Sequence, residues 1–261
     1  MAFTLCDNYR VEYEIEGAGQ PLFLLHGTSQ TARETWVSVL RKLGGTRAAV
    51  LVNYSGSGLT EDAGGDLSMP DLAGQVLSVA DAAGFDEFDV AGHSLGACVT
   101  LQLAADYPKR VSKIALLAGF VSAEDPRMQF QFAWWQRLAL ENPRELAALL
   151  MYSCFSQQFL SRLSREKIDA AVEAVYKNGN WPGTARQVEL DRRLDMREAI
   201  SRIKQKALVV NCLHDFVVPP QQAAALTSLL AAATCAELES GHAGAAEQAG
   251  RLCAILNDFF G

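Results

Sequence analysis

The chain has 261 residues, 49% of them hydrophobic, with a formal net charge of −7 and a pI near 5.2. That length supports one large domain that buries about three quarters of its unfolded surface, and the acidic balance argues against a nucleic-acid-binding surface. The six cysteines, at positions 6, 98, 154, 212, 235 and 253, form no C-x-x-C pair, which leaves zinc and thioredoxin-type redox readings without support.

Short β-type segments alternate with helical ones through the first half. Tyr9 to Ile15 reads as a strand, and Pro21-Leu22-Phe23-Leu24-Leu25 as a strand buried on both faces. A helix is expected from Trp36 to Leu43, a buried strand from Ala48 to Val52 and a helix from Asp71 to Ala83. Phe88-Asp89-Val90-Ala91 is strand-like, Leu95 to Tyr107 helical and Lys113 to Ala118 a further strand. From about Phe120 to Ile203 the pattern gives helices and turns but no convincing strand: Met128 to Glu141, Arg144 to Phe155, Arg165 to Lys177 and Thr184 to Leu194. Ala207 to Val210 resumes the sheet, followed by a helix from Gln221 to Leu230, a strand from Cys235 to Leu238 and a last helix from Gly244 to Phe260. The expected fold class is α/β, with a mostly parallel sheet and helices on both faces. Residues 1–119 and 204–261 are expected to form the core, and 120–203 an inserted helical lid. The first residues lack a basic stretch followed by an apolar run, and no segment approaches the ~18 apolar residues that span a bilayer, so a cytoplasmic protein without membrane contact is expected.

The most informative segment is Gly92-His93-Ser94-Leu95-Gly96. G-x-S-x-G between a strand and a helix is the pattern of a nucleophile elbow, where the serine sits on a tight turn and glycines two residues to either side avoid a clash. Serine is a weak nucleophile on its own; it needs a neutral imidazole to take its proton and a carboxylate to orient that imidazole. Of His26, His93, His214 and His242, the last follows the final strand and is the expected base. Asp215, after the strand Val209-Val210-Asn211-Cys212, is the expected acid, with Glu124 and Asp125 as competitors. The chain order is then Ser94, Asp215, His242. Backbone N–H groups of Leu95 and of Thr28, in the loop Leu25-His26-Gly27-Thr28-Ser29, are the expected oxyanion donors. His26 is expected to brace that loop.

Leu24-Leu25-His26-Gly27, Gly92 to Gly96, Tyr107-Pro108-Lys109-Arg110-Val111, Asp215-Phe216-Val217-Val218-Pro219 and Gly241-His242 together resemble the α/β-hydrolase superfamily, in the branch that carries a lid before the strand bearing the acid. The resemblance covers nearly everything outside the insertion. Two positions depart from it. Where relatives often have Asp-x-Arg-Gly-x-Gly-x-Ser, this chain has Asn53-Tyr54-Ser55-Gly56-Ser57-Gly58-Leu59-Thr60, which removes an expected ion pair. Cys98 stands where a further glycine is common and is expected to pack in the core.

The resemblance implies a serine hydrolase that cleaves a carboxylic ester or lactone, with a thioester as a further option, through an acyl-enzyme and with neither cofactor nor metal. Aspartate-nucleophile relatives, the epoxide hydrolases and haloalkane dehalogenases, are set aside by Ser94. C–C bond hydrolysis, perhydrolase-type chemistry, hydroxynitrile lyase activity and a slow-turnover ligand-binding role remain open at this point. In lid-bearing relatives the insertion selects the substrate; here Trp134, Trp135 and Met151 are the expected substrate-binding residues, for a small to medium apolar molecule. The lid arginines are expected on a solvated face. The sequence sets no oligomeric state.

Overall fold

A computed structural model describes every residue except 44 and 46. Its strands are β1 (Ala2–Cys6), β2 (Tyr9–Glu16), β3 (Pro21–Leu25), β4 (Ala48–Asn53), β5 (Phe88–His93), β6 (Val111–Leu117), β7 (Lys206–Cys212) and β8 (Ala233–Leu238). They form one sheet in the order β1-β2-β4-β3-β5-β6-β7-β8. From β4 to β8 all neighbours are parallel, and β1 and β2 are antiparallel at one edge. β1 has no counterpart in the sequence reading, because its five residues are partly exposed on an edge and lack the apolar run that marks a buried strand.

The helices that cover the sheet are α1 (Ala32–Leu43), α2 (Met69–Ala82), α3 (Leu95–Asp106), α10 (Pro220–Leu229), α11 (Gly244–Glu247) and α12 (Ala249–Phe260). Successive side chains of a strand point to opposite faces. Leu22 and Leu24 of β3 accordingly pack with Trp36, Val39, Leu252 and Leu256 on one side. Phe23 and Leu25 pack with Leu72, Val76, Leu101 and Leu103 on the other. α1 begins four residues before the expected start because Thr31 and Glu34 form a capping box. The Glu34 carboxylate accepts from Thr31 N (2.8 Å), and Thr31 Oγ1 accepts from Glu34 N (3.2 Å). The expected last helix is broken at Gln248, which separates α11 from α12.

Between β6 and β7 lie α4 (Pro126–Glu141), α5 (Pro143–Cys154), α6 (Gln157–Leu160), α7 (Arg165–Asn178), α8 (Trp181–Arg193) and α9 (Arg197–Arg202). The short α6 and α9 were not anticipated. The only β-type pairing among the described residues of this stretch is an isolated bridge, Ser122 with Asp195. α4 packs against α8 and α5 against α7, while α9 rests on α3. Asp125 starts α4 as its N-cap, accepting from Met128 N at 2.9 Å.

Candidate active site

Ser94 sits between β5 and α3 with φ 55° and ψ −119°, a conformation that L-residues rarely adopt. The sequence around it makes that turn possible. A Cβ on Gly92 would lie 2.1 Å from the Gly96 carbonyl oxygen, and a Cβ on Gly96 would lie 2.5 Å from that of His26. The turn is pinned from below by Ser94 N–H, which donates to Leu117 O at 2.9 Å.

Asp215 follows β7 and His242 follows β8, so both stand with Ser94 beyond the carboxyl ends of parallel strands. His242 Nδ1 donates to Asp215 Oδ2 at 2.7 Å, both residues being buried. The other carboxylate oxygen accepts from Val217 N (2.7 Å) and Val218 N (2.9 Å). Fixing the proton on Nδ1 leaves Nε2 of His242 as the basic nitrogen. The rival acids are engaged elsewhere. Glu124 is exposed and paired with Arg197 at 2.7 Å, and Asp125 caps α4.

Two of the remaining histidines, His93 and His26, are held neutral by burial. Burial lowers His93 to about 3, with the neighbouring His242 adding to the effect, and its Nε2 donates to the His242 carbonyl at 2.9 Å. His93 thereby steadies the backbone of a residue that lines the same cavity as Ser94. Burial lowers His26 to about 4. Its Nδ1 donates to Gly27 O at 2.8 Å, and its ring stacks on Tyr54 with centroids 3.9 Å apart. The Tyr54 hydroxyl in turn donates to His26 O. His214 lies on the outside, bonded to Glu239 at 2.8 Å. Cys98 is buried against Phe120 O, and burial pushes its thiol up.

Ser94, His242, Thr28 and Gly27 line a cavity of about 260 Å³, whose walls come largely from the helices between β6 and β7. Trp135 and Met151 line it, along with Phe132, Leu150 and Phe155, which sequence reasoning did not single out. Trp134 lies outside it, in contrast to its expected place at the substrate. One residue is 100° around an α-helix. The inward turn of Trp135 therefore carries Trp134 outward, to pack against Phe130 with centroids 6.2 Å apart.

Helix α8 ties this wall to the core. Gln187 is fully buried; its Oε1 accepts from Ser29 N (3.1 Å), and its Nε2 donates to Ser55 O (3.1 Å) and Ser57 Oγ (2.9 Å). Gly183 meets Gly56 so closely that a Cβ would stand 2.2 Å from the Gly56 oxygen. One turn after Gln187, Asp191 accepts from Thr28 Oγ1 at 2.6 Å. Burial raises its carboxyl to about 7. Asn53-Tyr54-Ser55 thus replaces the expected ion pair with hydrogen bonds: Asn53 Nδ2 donates to the Glu12 carboxylate at 2.8 Å, and Ser55 bonds to Gln75 and Gln187. The arginines between β6 and β7, expected on a solvated face, are not all simply solvated. Arg186 makes a two-pronged pair with Asp62 at 2.7 and 2.9 Å.

A second tie runs through Glu247. Its carboxylate accepts from Ser156 N (2.8 Å), Ser156 Oγ (2.6 Å) and Gly241 N (3.0 Å), and Ala243 N donates to Cys154 O at 2.8 Å. The loop bearing His242 is therefore bonded directly to the segment that follows α5. Among the described residues, no group of three or more His, Cys, Asp or Glu could hold a metal ion, and no helix is long and apolar enough to cross a membrane. All six cysteines are unpaired.

Comparison with known proteins agrees with this geometry. A family model described as alpha/beta hydrolase fold matches residues 20–248. A pyrrolizixenacetamide deacetylase of Xenorhabdus hominickii is 36% identical over 250 residues, covering 96% of this chain and 94% of that protein. A putative carbamate hydrolase, RutD, of Klebsiella pneumoniae is 28% identical over 216 residues, 80% of each. Among solved structures, an alpha/beta hydrolase enzyme from a Medee basin deep-sea metagenome library superposes with a TM-score of 0.91 at 17% identity, over 99% of this chain and 97% of that one. The serine turn, the strand order and these matches place the chain in one family: it belongs to the α/β hydrolases.

Proposed function

We propose that the protein is a serine hydrolase that cleaves the acyl bond of a small to medium, largely apolar substrate, an ester or lactone or the corresponding amide, through an acyl-enzyme on Ser94. The observation that carries this reading is the 2.7 Å bond from His242 to a fully engaged Asp215, with His242 and the strained Ser94 lining one cavity. Amides come into range because the 36% identical relative is named a deacetylase of an acetamide and the next a carbamate hydrolase.

In the proposed reaction His242 Nε2 takes the Ser94 hydroxyl proton as Oγ bonds to the acyl carbon. The negative charge that develops on the acyl oxygen meets the backbone N–H groups of Thr28 and Leu95. Collapse breaks the bond to the alcohol or amine, which leaves with the proton from His242. Water then attacks the acyl-enzyme as His242 takes its proton, and when the acyl–Oγ bond breaks His242 returns that proton to Ser94 and the acid is released. Residues 120–203 act as the lid in this reading, with Trp135 and Met151 contacting the acyl or leaving group. No step needs a metal or a cofactor. The six unpaired thiols fit a reducing compartment such as the cytoplasm.

The test is hydrolysis of short 4-nitrophenyl esters and the matching anilides, with Ser94→Ala and a serine-directed organophosphate as controls. Ser94→Ala should lower kcat by on the order of 10⁴ or more. Unchanged hydrolysis in that variant would falsify Ser94 as the nucleophile.

A further inference from the structure

The cavity beside Ser94 carries side-chain charge of one sign only. Its charged side chains among the described lining residues are two carboxylates, Glu34 and Asp191, and it contains no lysine or arginine. Neither carboxylate is neutralised from behind. The Glu34 partners are the Thr31 amide and hydroxyl, at 2.8 and 2.9 Å, and those of Asp191 reduce to the Thr28 hydroxyl on Oδ2. Asp191 is 2% exposed, and its Oδ1 has no hydrogen-bond partner. The histidine beside Ser94 in sequence, His93, is kept uncharged by burial and so supplies no positive charge.

A substrate carboxylate entering such a cavity would lose its hydration without gaining a cation, and, above the pH to which burial lifts Asp191, it would stand close to buried charge of the same sign. A neutral substrate avoids both penalties. A cationic one meets charge of the opposite sign. We infer that the cavity takes acyl substrates that are neutral or positively charged and turns away those carrying a carboxylate, with Asp191 as the residue that sets this preference. The inference rests on the serine-hydrolase reading above and narrows its substrate class. It separates this site from one built for dicarboxylic or keto-acid substrates, which needs an arginine or lysine in the wall.

The experiment compares three esters of one acyl length at pH 8, above the value to which burial lifts the Asp191 carboxyl. They are mono-4-nitrophenyl adipate (anionic), methyl 4-nitrophenyl adipate (neutral) and 4-nitrophenyl 6-(trimethylammonio)hexanoate (cationic). The neutral ester should exceed the anionic one in kcat/KM by about 100-fold, the size expected for like charges held roughly 6 Å apart at an effective dielectric of about 20. The cationic ester should fall within about tenfold of the neutral one. In Asp191→Asn, which keeps the shape and an acceptor for Thr28 but removes the charge, the anionic-to-neutral ratio should rise by at least about tenfold and up to about 100-fold.

The ratio is read within one variant, so a general loss of activity cancels. Organophosphate labelling of Ser94 confirms that Asp191→Asn is folded. Anionic and neutral esters within about threefold of each other in the unaltered protein would overturn the inference, and so would a ratio that Asp191→Asn leaves unmoved. Ser94→Ala separates the two readings. Turnover that survives it sinks the serine mechanism, whereas Ser94-dependent turnover with a flat charge series sinks only the charge preference.

Discussion

Asp215 gives one oxygen to His242 and the other to two consecutive backbone amides, those of Val217 and Val218. That division predicts what Asp215→Asn does. The side-chain oxygen of Asn can still satisfy the two amides, so the loop holds. The amide NH₂ then faces His242 Nδ1, which turns from donor to acceptor and moves the ring proton to Nε2, where it no longer serves as a base. We expect kcat to fall about 10³- to 10⁴-fold with little change in thermal stability. Glu124→Gln removes only an exposed ion pair, and Asp125→Asn keeps a capping side chain. Both should retain activity close to that of the unaltered protein. Steady-state kinetics on one chromogenic ester checks all three, and full activity in Asp215→Asn would reassign the acid.

The serine turn depends on backbone approaching backbone, which no rotamer change relieves. Gly96→Ala would push a methyl group to 2.5 Å from the His26 carbonyl oxygen and 2.6 Å from that of Leu25. We expect a loss on the order of 3 kcal/mol or more in urea unfolding, with serine labelling by an organophosphate lost in whatever folded protein remains. Gly74→Ala on α2, where an added Cβ meets nothing within 4 Å, is the matched control and should be neutral or stabilising. Similar midpoints for the two variants would contradict this account of the turn.

Glu247 bonds to both Ser156, just after α5, and the His242 loop, so its removal should register in turnover as well as stability. Glu247→Ala leaves the Ser156 and Gly241 amides without their acceptor. Losing hydrogen bonds to a charged acceptor typically costs about 1.5–3 kcal/mol. We expect a stability loss of that size together with a tenfold or greater fall in kcat, because the loop that aims His242 loosens. Glu247→Gln, which keeps an acceptor, should recover much of both. A variant that loses stability but keeps kcat would show that the tie is structural only.

The sheet was readable because its strands carry continuous apolar runs, such as Leu22 to Leu25, and its helices carry 3.6-residue periodicity. Ser94 and its flanking glycines were readable because a tight turn admits few residue types. β1 was not, since an edge strand needs no apolar run. The cavity wall was least legible. Trp134 and Trp135 differ only in which way one helix faces, and that depends on how α4 packs on α8. Asp191 and Gln187 sit four apart on α8 among Arg186, Arg192 and Arg193, so their composition suggested a solvated face. The one available hint was that spacing, which sets a carboxylate and an amide on the same side of a helix.

Asp191 also leaves a signature in stability that is independent of any substrate. Its carboxyl is raised to about 7 in the folded protein from an ordinary value of 3.8, with burial as the main cause and the Thr28 bond opposing it. Between those values the folded chain holds a proton that the unfolded chain has lost. Stability therefore falls as pH rises from about 4 to about 7, and the full penalty is present above 7. At about 1.4 kcal/mol per unit its upper size is on the order of 4 kcal/mol. His26 and His93 act in the opposite direction. Lowered to about 4 and about 3 from 6.5, they remove stability as pH falls below 6.5, when the unfolded chain takes up protons that the folded one refuses. Both histidines are present in Asp191→Asn as well, so the difference between the two proteins isolates the carboxyl. Urea unfolding at pH 4 and pH 8 should show the variant gaining stability relative to the unaltered protein over that interval, by up to a few kcal/mol. Parallel pH curves for the two proteins would mean that the Asp191 charge is compensated in the fold, and would remove the basis for its effect on substrate charge.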